Sequence, residues 1–174
     1  MKSFLAQLVC VSGARNGAKA TYVSSYGETV ARGMFATYFD DGSGVDFYEV
    51  RDLDSCEMHI HNDQVAVVDS FSYLAAGRLL GDVKGALEKI KKRVRETSSI
   101  VVLVLSDDML PPQMEAMVFH HADGVLCLLE REGGDGVKRY MRIPKWMGGR
   151  TFDANIFFTF IGNQLNVDTR YRVV

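Results

Sequence analysis

The chain has 174 residues, of which 47% are hydrophobic and 24% are charged, and this length is enough to bury one core of ordinary size. Its formal net charge of −2 gives no electrostatic reason to expect a nucleic-acid or membrane partner, although residues 89–95 (KIKKRVR) are locally basic. Three widely spaced cysteines fit a reducing compartment, and the apolar runs are too short to span a bilayer. We therefore expect a cytoplasmic protein that folds as a single domain over residues 1–174, without membrane insertion.

The first third of the chain alternates predicted helices and strands. Apolar residues at helical spacing predict a helix over residues 3–15, and a short β-rich run follows at 20–25. A second helix is predicted over residues 29–39 and a strand over 45–50, with a loop at 40–44 between them. This order is typical of an α/β fold.

Three continuous apolar runs follow, at residues 65–70, 99–106 and 124–130. Strands that are buried on both faces of a parallel sheet have this composition. The first two runs are separated by a predicted helix over residues 83–94, and a helix from Pro111–Pro112 to His121 precedes the third. Extended runs over residues 137–168 then predict antiparallel strands. The expected fold is α/β, with three layers around a mostly parallel sheet and an antiparallel extension over 137–168.

Polar side chains follow the predicted strands at three places, which are residues 24–28, 69–72 and 106–108. In α/β sheets the chemistry lies beyond the carboxyl ends of the strands, so these clusters are the first candidates for a site. Asp69 ends an apolar strand and has the form of a carboxylate that holds Mg²⁺ beside a nucleotide. It could equally cap the following helix or begin a loop, and the pattern leaves both interpretations open.

A weaker candidate is the HIH sequence, in which His59 and His61 would share one face of a strand. Asp63 or Cys56 could then complete a metal site. Two nearby histidines are more often surface residues, so this interpretation stays secondary.

Six blocks carry a resemblance to a known family, and they are KSFLAQLV, NGAKATYVSSYGET, QVAVVDSFSYL, SIVVLVLS, ADGVLCLLE and KRYMRIPKWMGG. In their order and spacing they resemble the KaiC-like branch of RecA-superfamily ATPases, which includes the archaeal motility-motor accessory ATPase. The resemblance covers nearly the whole chain. It implies a RecA-like fold of the P-loop NTPase type, with ATP and Mg²⁺ as cofactors.

The resemblance assigns the first residues to the end of a phosphate-binding loop. Lys2 and Ser3 match the lysine and hydroxyl of the Walker A motif, and Asp69 matches the Walker B carboxylate. Lys2, Ser3 and Asp69 would then bind the cofactor, with Ser3 and Asp69 as the magnesium ligands. The strand and the glycines of the loop do not stand before Lys2 in this sequence. Because fixed backbone N–H groups carry most of the phosphate binding, we expect low phosphate affinity.

Two further family positions are altered. Of the family's paired catalytic glutamates only Glu28 remains, because Gly27 occupies the other position. The sequence is equally compatible with Glu28 being an acid in the first turn of a helix, where it interacts with the helix dipole. In the family's K-x-R-G pattern, which reaches the nucleotide of a neighbouring subunit, Lys145 is retained as a cofactor-binding candidate and Met147 replaces the arginine. Arg150, three residues further on, could substitute for it.

Three hypotheses of function follow. In the first, the chain is a degenerate KaiC-like module with weak or no ATP hydrolysis, which acts in regulation or signalling as a homo-oligomer or with an unknown protein partner. In the second, it is a genuine ATPase whose phosphate-binding loop lies upstream of Met1. In the third, the scaffold serves interactions without a nucleotide.

The resemblance also implies a gap in the sheet, because the family's phosphate-loop strand lies between other strands. Unpaired strand edges must close, be covered or pair with another chain. We therefore expect either that the sheet closes or that a dimer covers the gap.

Overall fold

The computed structural model describes residues 1–39, 44–133, 136–149, 152–162 and 164–173. The predicted loop at 40–44 lies outside the described residues except for Gly44, and so does Arg150. The chain divides into two compact units, Met1–His121 and Ala122–Val174, which are described separately below. The expectation of a single domain stays a prediction.

The first unit has the predicted alternation of helices and strands. Its elements, in chain order, are α1 (Lys2–Arg15), β1 (Lys19–Ser24), α2 (Glu28–Tyr38), β2 (Val45–Glu49), a 3₁₀ helix (Cys56–His59), β3 (Gln64–Asp69), α3 (Phe71–Ala75), α4 (Leu80–Thr97), β4 (Ile100–Leu103) and α5 (Pro112–His121). The sequence pattern did not predict the 3₁₀ helix or α3, because both are too short to show a period. No described helix has both the length and the apolar character needed to cross a membrane.

The sheet of the first unit is parallel throughout, with the strand order β2-β1-β3-β4. One face packs against α1 and α2, where Cys10 and Phe35 are completely buried. The other face packs against α3, α4 and α5 through residues such as Phe71, Val83 and Val118. The expected three-layer α/β architecture is therefore confirmed.

Helix α1 lies unusually close to the sheet at Gly13. A Cβ atom on Gly13 would stand 3.0 Å from Cγ2 of Val65 on β3, which is closer than almost all such contacts in proteins, so Val65 would have to move to accommodate a side chain. Ala6 and Cys10, on the same side of α1, are buried as well. Small residues therefore allow the backbone of α1 to approach the centre of the sheet.

The protein is expected to lose stability at alkaline pH, because two thiols in its core have raised pKa values. Burial raises the pKa of Cys10 from its ordinary value of 9.0 to about 12. Burial, followed by the charges of Asp52 and Asp54, raises the pKa of Cys56 to about 12 as well. A raised pKa in the folded state means that the unfolded chain loses its proton first, so stability is complete below pH 9 and falls as the pH rises towards 12. The expected slope is about 1.4 kcal/mol per pH unit for each thiol.

Urea unfolding at several pH values between 8 and 10.5 measures this slope. The variant Cys10→Ala removes one titrating thiol and is expected to show a shallower decline, although its stability at pH 7 is somewhat lower. Equal slopes for the two proteins would contradict the prediction.

The second unit is one antiparallel sheet with the order β5-β6-β7-β8. Its strands are β5 (Gly124–Gly133), β6 (Gly136–Trp146), β7 (Phe152–Ile161) and β8 (Gln164–Val173). The antiparallel extension is confirmed, but it begins at Gly124 rather than at residue 137. The interpretation of residues 124–130 as a third strand of the parallel sheet is wrong, because β5 forms a hairpin with β6 and most of its side chains are partly or fully exposed. Its apolar run alone could not distinguish the two arrangements.

The outer edge of β4 has no strand paired with it in the described part of the chain. The side chain of Ile100, at the start of this edge, is 61% exposed. The expectation that the sheet closes its own gap is therefore wrong for the described residues. Pairing with a second chain stays a prediction.

Candidate functional site

The polar clusters predicted from the strand ends lie along one edge of the parallel sheet. Ser24, the last residue of β1, is in register with Asp69, the last residue of β3. The backbone N–H of Ser25 donates to the carbonyl of Asp69 over 2.9 Å, and that of Phe71 donates to the carbonyl of Val104 over 2.9 Å. These bonds bring the chain segments that follow β1, β3 and β4 together at the carboxyl edge.

Asp69 is turned away from solvent. Its exposed fraction is 1%, and its Oδ2 accepts a hydrogen bond of 2.5 Å from the hydroxyl of Tyr22, which is also 1% exposed. Side chains two residues apart on a strand share a face, so Asp69 lies on the same side of β3 as Val67, which faces α1 and α2. The carboxylate is therefore directed into the layer between the sheet and α1.

Gln7 of α1 is the third polar residue in this layer. It is 1% exposed, and neither its amide nitrogen nor its amide oxygen makes a well-formed hydrogen bond to the described residues. Burial, and then the negative charge and hydrogen bond of Asp69, raise the pKa of Tyr22, whereas the nearby Gln7 amide lowers it. The Tyr22 hydroxyl therefore keeps its proton at neutral pH and donates a hydrogen bond to Asp69.

A network of serine hydroxyls surrounds the backbone that follows Asp69. Ser70, not Asp69, caps α3: its Oγ accepts from the backbone N–H of Tyr73 and lies 2.8 Å from Ser72 Oγ. Ser72 Oγ also accepts from the backbone N–H of Ser106 over 2.9 Å. The interpretation of Asp69 as a helix cap is therefore wrong, because the adjacent hydroxyl performs that role.

Lys2 and Ser3 lie in the first turn of α1. Nζ of Lys2 is 2.7 Å from Oδ1 of Asp107, in the segment after β4, and the lysine side chain is 29% exposed. This ion pair places Lys2 at the same edge of the sheet as the end of β4. Ser3 is partly buried in the same turn. Their assignment to phosphate and magnesium binding stays a prediction.

Glu28 is the first residue of α2 and lies on its solvent side. Its Oε1 is 2.8 Å from Nε of Arg32, and the two side chains are 48% and 52% exposed. Gly27, at the preceding N-cap position, has a φ of +94°, and a Cβ atom there would stand 3.3 Å from Oε2 of Glu49. The geometry agrees with the interpretation of Glu28 as a first-turn acid that is paired with a basic residue one turn later.

Lys145 belongs to the second unit, on β6, where it is in register with Val125. Its side chain is partly buried. Met147 follows the end of the strand, and its backbone N–H donates to the carbonyl of Asp123 over 2.7 Å. The proposed substitute Arg150 lies outside the described residues. The role of Lys145 towards a nucleotide stays a prediction.

The histidine candidates do not form a strand. His59 ends the 3₁₀ helix and stacks on Tyr48 with ring centroids 4.3 Å apart. Burial, and then the charge of His61, lower the pKa of His59. Within the described ranges, no group of three or more His, Cys, Asp and Glu side chains is placed to hold a metal ion.

Sequence reasoning did not find Tyr22 or Gln7. Tyr22 lies two residues before Ser24 in a strand, so strict alternation places it on the face that Asp69 shares, and this pattern could have indicated it. Gln7 interrupts the apolar side of α1, where a buried amide is a departure from the helical pattern.

Residues 47–173 match a family model whose description is a family of unknown function, DUF7125. The chain belongs to this family. The sequence of the chain has no match among curated proteins.

Two solved structures are similar to the chain over most of its length. One is a KaiC-like protein from the hyperthermophilic archaeon Pyrococcus horikoshii OT3, with a TM-score of 0.72 and 18% identity over 96% of this chain and 83% of that one. The other is the flagellar accessory protein FlaH from Methanocaldococcus jannaschii, with a TM-score of 0.71 and 18% identity over 96% and 84% of the two chains. The predicted similarity of the fold to KaiC-like proteins is therefore confirmed.

Proposed function

We propose that this member of the DUF7125 family is a KaiC-like module that hydrolyses ATP weakly or not at all. It acts in regulation or signalling, either by assembling with itself or by binding a protein partner. The hydrogen bond between Tyr22 and Asp69 carries the proposal, since it occupies the carboxylate that would otherwise serve magnesium.

A Walker B carboxylate has to present an oxygen to the hydration shell of Mg²⁺ beside the phosphates. Asp69 is 1% exposed and already accepts a hydrogen bond from a buried hydroxyl. The bond uses only Oδ2, but the whole side chain is buried, so bringing either oxygen to magnesium at the edge of the sheet would turn the carboxylate away from Tyr22 and leave that hydroxyl without its acceptor. A buried group without a partner costs about 1–3 kcal/mol, and this penalty opposes metal binding.

The positions that would act on the reacting phosphate are also weakened. A general base must have its carboxylate free to take a proton, and Glu28 is paired with Arg32 on the solvent side of α2. Loss of such a group lowers rates by about 10²–10⁴. Met147 stands where the family has an arginine, and a thioether cannot stabilise the charge of the transition state, a loss of about 10³–10⁵ in systems that use such a finger.

The alternative, a genuine ATPase, is favoured by one observation. The ammonium group of Lys2 is held by Asp107 at the carboxyl edge of the sheet, which is where a phosphate-binding lysine would be needed. Phosphate binding would then replace Asp107 as the partner of Lys2. The third possibility, a scaffold without a nucleotide, differs from both in that ATP has no effect on its stability.

Phosphate release from ATP and Mg²⁺ tests the proposal. The expected turnover is low and equal, within error, for the unchanged chain, Glu28→Gln and Asp69→Asn, because neither carboxylate is available for the reaction. A turnover that falls 100-fold or more in Glu28→Gln would contradict the proposal and support the ATPase.

Thermal unfolding with and without ATP and Mg²⁺ separates the remaining hypotheses. Saturable stabilisation shows that the native state binds the nucleotide, whereas no shift at millimolar ATP supports the scaffold. Asp69→Asn serves as the control, since a shift that disappears in this variant requires magnesium at Asp69.

Self-assembly is the second part of the proposal, and it is supported by the outer edge of β4, beside which no strand lies among the described residues. An unpaired strand edge with an exposed isoleucine is a template for pairing with another chain. We expect light scattering to give a mass of at least two copies, and Ile100→Lys to shift it towards one copy. The control is Val30→Lys, on the exposed side of α2, where the side chain is 52% exposed. A monomeric unchanged chain, or equal effects of the two variants, would contradict the expectation.

A further inference from the structure

The charges of the chain are distributed unequally between its two units. Residues 122–174 contain eight Lys and Arg against six Asp and Glu, a net charge of +2, whereas residues 1–121 contain twelve against sixteen, a net charge of −4. The overall charge of −2 is therefore the sum of an acidic first unit and a basic second unit. The overall charge gives no reason to expect a nucleic-acid partner, but the charge of the second unit taken alone is compatible with one.

The strand register places several of these basic residues on one face of the second sheet. Residues that are directly opposite in an antiparallel pair share a face. Arg131 of β5 is opposite Lys138 of β6, and Tyr140 of β6 is opposite Phe157 of β7. Arg142, two residues after Tyr140, lies on the same face. We call these five residues the basic–aromatic face.

The two aromatic rings lie at the centre of this face, on the two central strands β6 and β7. The centroids of Tyr140 and Phe157 are 5.8 Å apart, with planes at 66°, and both rings are partly exposed. The guanidinium of Arg131 lies over the Tyr140 ring, 5.6 Å from its centroid. The side chains of Arg131, Lys138 and Arg142 are exposed.

The opposite face of the same sheet has a different character. Glu130 and Arg139, directly opposite one another, form an ion pair of 3.0 Å. Met141 and Phe158, farther along that face, are buried. On this face an acidic and a basic residue are directly opposite, whereas on the basic–aromatic face Arg131 and Lys138 are two basic residues in the directly opposite positions. Asp168, opposite Phe157 on β8, is an acidic residue on the same side of the sheet as the basic–aromatic face.

We propose that the basic–aromatic face binds single-stranded nucleic acid. Bases stack on aromatic rings presented by neighbouring strands of a sheet, and phosphates pair with the surrounding basic side chains. Arg131, Lys138 and Arg142 contact phosphates, and Tyr140 and Phe157 each stack one base. Every nucleotide brings a flat aromatic base together with its phosphate, whereas the carboxylates of an acidic protein segment bring negative charge without an aromatic ring, so the combination favours nucleic acid over an acidic peptide. This activity is separate from the nucleotide chemistry discussed above.

Fluorescence anisotropy with a labelled 12-nucleotide single-stranded RNA of mixed sequence, and with a DNA of the same sequence, tests the proposal on the full chain. Saturable binding is expected at 50 mM salt. Three phosphate contacts predict that the logarithm of the affinity falls with the logarithm of salt concentration with a slope of about −2, since each contact on a single strand contributes about 0.7.

Matched variants identify the face. Arg142→Gln is expected to reduce the salt slope by about 0.7. Tyr140→Leu and Phe157→Leu are each expected to weaken binding about 5- to 100-fold. Arg139→Gln removes the same charge from the opposite face and is expected to change the affinity less than twofold. Far-UV circular dichroism determines whether each variant is folded. If an aromatic variant does not fold, the arginine variants still test the face.

Three results would overturn the proposal. The first is the absence of saturable binding at low salt. The second is a loss in Arg139→Gln as large as that in Arg142→Gln, which would indicate a response to net charge. The third is equal competition by polyglutamate or by a duplex of the same length, which would indicate a surface for polyanions in general.

Discussion

Replacing Tyr22 with phenylalanine is expected to destabilise the protein by about 3 kcal/mol. The variant keeps the ring and its packing but removes the hydroxyl that donates to Asp69, so that a carboxylate with 1% exposure loses its hydrogen bond. Breaking a buried pair on one side leaves an uncompensated charge, which costs more than the loss of a neutral hydrogen bond. Urea unfolding followed by circular dichroism measures the difference.

The companion variant Asp69→Asn distinguishes charge from shape. Its amide carbonyl can still accept from Tyr22, and no charge is buried, so the expected loss is about 1 kcal/mol or less. In the double variant, the removal of the Tyr22 hydroxyl leaves a neutral amide without its partner instead of a carboxylate. We therefore expect the double variant to be more stable than Tyr22→Phe alone. A larger loss in Asp69→Asn than in Tyr22→Phe would contradict this account of the site.

Replacing Phe35 with alanine is expected to cost about 3–5 kcal/mol. Phe35 of α2 is completely buried and makes edge contacts with Tyr22 and Phe47, at centroid distances of 4.9 and 4.8 Å. Removing its ring leaves a cavity beside Tyr22, between α2 and the sheet. The midpoint of urea unfolding should fall accordingly.

The control for this variant lies on the other side of the same helix. Val30 is 52% exposed, and Val30→Ala is expected to change stability by less than about 0.5 kcal/mol. If the two variants lost similar amounts, the assignment of Phe35 to the core would be wrong.

The parallel half of the fold could be predicted from the sequence because its strands and helices have clear and different periods. The helix over 3–15, the strand over 65–70 and the helix over 83–94 appear as α1, β3 and α4 with small shifts at their ends. The apolar run at 124–130 was misassigned because an apolar strand looks the same in a parallel sheet and in a hairpin. Pairing depends on partners far away in sequence, which a local period does not record.

The candidate site could be predicted only in part. The position of Asp69 at a strand end followed from the pattern, but the direction of its side chain depended on Tyr22, 47 residues earlier. Likewise, the ion pair between Lys2 and Asp107 joins residues 105 positions apart. Such contacts arise from the folded arrangement of neighbouring strands and helices, so no spacing within a single motif could indicate them.

The backbone at Gly27 opposes a second acidic side chain beside Glu28. Its φ of +94° is open to glycine but strained for any other residue by about 1–2 kcal/mol, and a Cβ atom there would lie 3.3 Å from Oε2 of Glu49. A single codon change to glutamate would therefore introduce backbone strain and charge repulsion together with a second acid. An evolutionary path to a pair of adjacent glutamates here would have to rebuild this turn first, which is difficult one substitution at a time.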